Sequence, residues 1–264
     1  MRLWIPCLLG CATFVWLGCS SSHTNDYYRD RALITSLDQA ATQPIEKREL
    51  VATPYRRLAA ASEVNEKPPA TGSEALDALR EGNRRYVENL AAHPQQTDER
   101  RKQLVSAQHP HTAVLSCSDS RVPPELIFDQ GLGSLFIVRN AGDVADDVAT
   151  ASLEYAVEHL GVKMILVMGH QSCGAVKTTL ETPKGTSAGS KDLDTLLSII
   201  RPNLKGIDST TAGPGLSTAV RSNVSGVSAR LMKSKIIREA VEKHGLLIAR
   251  GIYSLDTGKV EFWF

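Results

Sequence analysis

Three short apolar runs, Thr112–Ser116, Ser134–Arg139 and Lys163–Met168, follow one another along the chain, and each leads into a segment of helical pattern. No other feature restricts the fold as much. An apolar run without polar alternation must be covered on both faces, and helices lying between such runs supply the cover. Pro123-Pro124 after the first run suits a helix start. The second run leads to a helix from about Asp146, with Leu153, Ala156, Val157 and Leu160 on one face, and a third helix follows Gly174. The alternation predicts an α/β protein, a mostly parallel β-sheet flanked by helices.

The flanks complete this outline. Leu76, Leu79, Tyr86, Val87 and Leu90 recur at helical spacing behind Ser73, which is the expected N-cap. Residues 183–190 and 206–217 read as loops, and about 218–243 as one helical stretch. Leu246–Ser254, Asp256-Thr257-Gly258 and Lys259–Phe264 read as a strand, a turn and a final strand.

The first nineteen residues have a different character. Arg2 precedes an apolar stretch from Leu3 to Leu17, broken by Pro6 and Gly10. It is short and interrupted for a membrane span of about 20 residues, and fits an export signal. Leu17-Gly18-Cys19 followed by three serines resembles a bacterial lipoprotein cleavage site. That resemblance implies acylation at Cys19, with Cys11 in Leu8-Leu9-Gly10-Cys11 as the alternative, and an uncleaved anchor as the remaining option. The expected location is then outside the cytoplasm, periplasmic or on the cell surface, lipid-anchored to a membrane. Residues 20–72 are polar with Lys67-Pro68-Pro69 near their end and read as a tether, leaving 73–264 as the folded domain.

Composition excludes some partners. Thirty Lys and Arg balance 29 Asp and Glu, so no basic excess points to nucleic acid. Of five cysteines, Cys7, Cys11 and Cys19 lie in the first segment, which leaves Cys117 and Cys173. Two cysteines cannot staple a domain of this size. They could form one disulfide or serve as thiolate ligands.

The neighbours of those cysteines carry the chemistry. Cys117-Ser118-Asp119-Ser120-Arg121 and His170-Gln171-Ser172-Cys173 each directly follow an apolar run. Each therefore falls at the carboxyl end of a parallel strand, where open α/β sheets bind ligands. Two thiolates, an imidazole and a carboxylate can converge there, a donor set suited to tetrahedral Zn²⁺. Two thiolates already balance the charge of Zn²⁺. If Asp119 also binds, the sphere is closed; if Arg121 captures Asp119 as a bidentate pair, a fourth position is left for water.

The stretch from Ala113 to Lys177, AVLSCSDSRVPPELIFDQGLGSLFIVRNAGDVADDVATASLEYAVEHLGVKMILVMGHQSCGAVK, resembles the β-class carbonic anhydrases, and the similarity extends over about residues 73–264. The resemblance implies that Cys117, His170 and Cys173 bind zinc. Asp119 pairs with Arg121 and either orients the metal-bound hydroxide that attacks CO₂ or, in an inhibited form, replaces it. Gln108 stands where the family has a glutamine that hydrogen-bonds the substrate. Phe136, Ala141 and Tyr155 stand at pocket positions, and Asp143 replaces an asparagine common in the family. Reversible conversion of CO₂ to bicarbonate follows, in homodimers or larger homo-oligomers with pockets at the subunit interface. His109 and His111 are weak candidates for a proton shuttle. The competing reading is a membrane-anchored protein in which zinc only stabilises a non-catalytic binding or structural domain.

Overall fold

A computed structural model describes residues 67–207 and 214–264. The signal at 1–19, its cysteines Cys11 and Cys19, and nearly all of the polar tether lie outside the described residues. Helix α1 (Gly72–Val87) opens the domain, followed by α2 (Asp98–Gln103). Then come β1 (Thr112–Cys117), α3 (Pro124–Ile127), β2 (Leu135–Asn140), α4 (Asp147–Glu158) and β3 (Met164–His170). The remainder is α5 (Gly174–Glu181), α6 (Lys191–Ile200), α7 (Pro214–Leu231), α8 (Lys235–His244), β4 (Leu247–Tyr253) and β5 (Val260–Trp263).

The strands form one sheet in the order β2-β1-β3-β4-β5. The first four are mutually parallel, and β5 returns antiparallel beside β4. Alternation along the central strands splits the core between two faces. Ala113, Leu115, Ile165 and Val167 pack with Leu153 and Ala156 of α4, Val224, Val227 and Leu231 of α7, and Ile237 of α8. Val114, Met164, Leu166 and Met168 pack instead with Ala75, Leu76 and Leu79 of α1 and Ile127 of α3. β1 and β3 are buried along their whole length, which is why they read as unbroken apolar runs.

Local expectations are met with corrections. Thr71, not Ser73, caps α1, accepting the Glu74 N–H, and Leu90 lies past the helix end and is exposed. Asp146 caps α4 and accepts the Ala149 N–H. The stretch read as one helix over 218–243 is two, because Ser234 accepts the Ile237 N–H and starts α8 afresh. α7 also begins earlier, at Pro214, inside the segment read as loop. Helix α6, capped by Ser190, was not anticipated; Leu197 and Ile200 are its buried residues. No helix among the described residues is long and apolar enough to cross a membrane.

Candidate metal centre

β1 ends on Cys117 and β3 ends on His170, so both side chains stand at the carboxyl edge of neighbouring parallel strands. Cys173 follows one turn later as the residue before α5. Ser172 makes that turn possible by adopting a left-handed φ of 58°. The ligand atoms of Cys117, His170 and Cys173 all lie within 4.8 Å of one another, and all three residues are buried. Donors to one zinc lie within roughly 4 Å of each other, so the cluster is near the span of a single coordination sphere.

The protonation pattern suits a metal. His170 Nδ1 donates to the Gln171 carbonyl at 2.9 Å, leaving Nε2 as the lone-pair nitrogen. That Nε2 is buried without a hydrogen-bond partner, a costly state that a cation removes. The Cys117 thiol is pulled down, first by the neighbouring Cys173 thiol and then, against burial, by His170 and the backbone at Gly142 and Asp119. Cys173 is pushed up, by the Cys117 sulfur and by burial. Both cysteines are free, not joined in a disulfide. A buried imidazole and two free cysteine sulfurs within one coordination sphere fit zinc.

Asp119 is adjacent but engaged elsewhere. Arg121 holds it with Nε on Oδ1 at 2.9 Å, Nη2 on Oδ2 at 2.7 Å and the backbone N–H on Oδ1 at 3.0 Å. Its Oδ2 is 3.9 Å from His170 Nε2. The arginine bond, opposed by burial, keeps the carboxyl well below the usual carboxylate range. The two ends of the loop are tied down by Arg139, which donates from Nε to the Cys117 carbonyl at 3.0 Å and from Nη2 to the Asp119 carbonyl at 2.7 Å.

Asp143 lies beneath the cluster, 1% exposed. Burial first, and the charge on Cys117 second, push its carboxyl up to about 8. Asn223 Nδ2 donates to the Gly142 carbonyl at 3.0 Å and lies 3.4 Å from Asp143 Oδ2.

The four pocket positions separate. Ala141 follows Asn140, the register partner of Cys117, and so stands at the cluster's edge. Phe136 pairs with Ala113, four residues back along β2, about 13 Å away along the strand. Tyr155 on α4 stacks near Phe136 with ring centres 6.3 Å apart. Gln108 is exposed, ahead of β1. His111 also sits at the far end of β1, between Thr112 Oγ1 at 2.8 Å and Gln130 Oε1 at 3.2 Å, so within its own chain it is remote from the cluster. Arg139 and Gly142 are site residues that the sequence reading did not single out. Their one signal is position, at the end of an apolar run adjacent to the run that ends on Cys117.

A parallel α/β sheet that gathers two cysteines and a histidine at its carboxyl edge defines a metal-site protein of zinc type. Comparison with known proteins narrows the class. The carbonic anhydrase family model matches residues 112–260. A carbonic anhydrase of Mycolicibacterium smegmatis is 48% identical over 124 residues, a stretch covering 45% of this chain and 60% of that protein. Carbonic anhydrase 2 of Mycobacterium tuberculosis is 39% identical over 190 residues, covering 70% of this chain and 89% of that protein. Among solved structures, the Coccomyxa β-carbonic anhydrase in complex with acetazolamide superposes with TM-score 0.56 at 28% identity, covering 73% of this chain and 86% of that one. A tetrameric β-carbonic anhydrase of Sordaria macrospora gives 0.55 at 28% identity, covering 61% and 84%. The chain belongs to the β-class carbonic anhydrases.

Proposed function

We propose that this protein interconverts CO₂ and bicarbonate with zinc held by Cys117 Sγ, His170 Nε2 and Cys173 Sγ. The observation that carries the reading is the orphaned, buried Nε2 of His170 facing two sulfurs while Asp119 is held aside by Arg121. Zinc bound there supplies the Lewis acidity that makes a water nucleophilic near neutral pH. The chain's own residues do the rest. Asp119 accepts a hydrogen bond from the attacking water and aims it, and Arg121 keeps the carboxylate in that role. Ala141 leaves room at the edge of the cluster.

Gln108, Phe136 and Tyr155 bear on CO₂ in an assembly, where a second copy brings them to the site. The separation of these residues from their own chain's cluster supports a homo-oligomer, as does the half exposure of Tyr155. The related Sordaria enzyme is tetrameric. The Leu17-Gly18-Cys19-Ser20 context supports export and lipid anchoring at Cys19. A CO₂ hydration assay on zinc-loaded protein tests the reaction, with Cys173→Ser as its control. The expected result is activity in the wild type, with loss of most zinc and essentially all activity in the variant. A zinc-replete wild type without hydration would leave the non-catalytic, zinc-stabilised reading.

A further inference from the structure

We propose that Gln171 is a positioning residue for the metal-binding histidine, bracing His170 against the turn between β4 and β5. The inference rests on the zinc site described above and extends it to a part of the chain 84 and 85 residues away in sequence.

His170 orients its ring through one hydrogen bond, from Nδ1 to the Gln171 carbonyl at 2.9 Å. The ring is therefore as well placed as that carbonyl. Gln171 lies beyond the end of β3 and is exposed, and an exposed residue entering a turn is ordinarily free to move. Here it is tied at every polar atom. Its backbone N–H donates to the Tyr253 carbonyl at 2.9 Å, extending the β3–β4 ladder by one residue. Its Oε1 accepts the Leu255 N–H at 3.0 Å and faces Ser254 Oγ at 3.5 Å. Its Nε2 donates to Asp256 Oδ2 at 2.7 Å. The Leu255 N–H can only donate, which fixes the amide's orientation without appeal to its neighbours.

One side chain thus clamps three consecutive residues of the β4–β5 turn, and the same residue's carbonyl holds the imidazole. The next residue, Ser172, is in a left-handed conformation at φ 58°, so the path from His170 to Cys173 has a fixed sharp bend on its other side. Between a ladder bond, a clamped amide and that bend, the Gln171 peptide has little freedom. Partners of this kind, which orient a metal-binding histidine through its other ring nitrogen, typically change metal affinity 10- to 100-fold when removed. Gln171 acts one step further out, through its own carbonyl. Its effect falls on the metal more than on the fold, since the bonds are exposed and replaceable by water.

The test compares wild type, Gln171→Ala, Asp256→Ala and the double variant as full-length proteins. Zinc dissociation constants come from chelator competition, the ligand-field spectrum from Co²⁺-substituted protein, and the melting temperature from the metal-free form. Gln171→Ala is expected to weaken zinc binding several-fold, less than the roughly 10- to 100-fold of losing the direct partner because the carbonyl itself remains, and to shift the Co²⁺ bands, with the metal-free melting temperature unchanged. Asp256→Ala is expected to move in the same direction by less, and the double variant to be no worse than Gln171→Ala, because both act through one clamp. Wild-type zinc affinity and spectrum in Gln171→Ala would overturn the inference, as would additive losses in the double variant. If Gln171→Ala does not fold, Asp256→Ala alone decides, because it sits in an exposed turn. Failure of the wild type to bind zinc strikes the functional reading itself, a result distinguishable from equal binding by wild type and variants.

Discussion

Asp119 is gripped by one residue at three points, and that economy makes the pair a test of what the site is for. A zinc that only stiffened the fold would have no use for an arginine holding a carboxylate beside it. If Arg121 keeps Asp119 off the metal, Arg121→Ala should leave zinc at wild-type stoichiometry but lower kcat/KM for CO₂ by at least roughly 100-fold, the scale of one positioned electrostatic group. Asp119→Ala should also retain zinc, because three donors remain, and the double variant should be no worse than Asp119→Ala. Elemental analysis beside stopped-flow hydration reads both quantities; substantial activity in Arg121→Ala would reduce the pair to an ordinary ion pair. The same pair has a pH signature. Arg121 lowers the folded-state pKa of Asp119 below its unfolded value, so its contribution to stability is complete above about pH 4 and is lost as the pH falls further. Arg121→Ala should therefore unfold with a shallower dependence on pH below about 4.

At the scale of elements, the carboxyl ends of β1, β2 and β3 do the positioning, and Gly142 shows how tightly. It follows β2 with φ 74°, and a Cβ there would meet Ile200 Cδ1 at 2.8 Å and Ala175 Cβ at 3.1 Å. Its backbone is also among the groups that pull the Cys117 thiol down. Gly142→Ala should cost about 1–3 kcal/mol in unfolding free energy and weaken zinc binding, measurable by denaturant titration and chelator competition. Full stability in that variant would show that the turn relaxes freely. These elements also explain what the sequence made legible. β1 and β3 are covered on both faces, so their composition alone announces them, and the residues that follow them had to meet at one edge. Cys117, His170 and Cys173 could be grouped for that reason, and Asp119 with Arg121 by their spacing. Gly142 could not be singled out, since its part is played by the backbone, and Gln171 could not because the partners of its side-chain amide lie in a turn 83–85 residues further along. Arg139 depends on the β1–β2 register. The division of 218–243 hangs on a single serine cap, and α6 lies between loop-like composition and Pro202, so neither announced itself.

For the whole molecule, the N-terminal segment and the oligomer pose separate questions. Cys19→Ser should release the protein from the membrane fraction while the domain keeps its activity; unchanged fractionation and electrophoretic mobility would favour Cys11 or an uncleaved anchor. The proposed oligomer is supported by surface chemistry. β2 is an edge strand of apolar sequence, Leu135-Phe-Ile-Val138, and all four of those residues are only half-buried. Beside it, α4 exposes Val148 at 76% and Tyr155 at 49%. An unpaired apolar edge next to exposed apolar side chains is a surface that a soluble monomer avoids. A second copy would cover it and, in the reading proposed here, bring Phe136, Tyr155 and Gln108 to a site their own chain leaves distant. Val148 lies on that surface without belonging to the cluster or the proposed pocket. Val148→Lys should thus shift sedimentation toward the monomer. It should lower hydration activity in proportion to the monomer formed, while zinc content stays at wild-type level. Monomeric Val148→Lys with full activity would refute a pocket built from two copies.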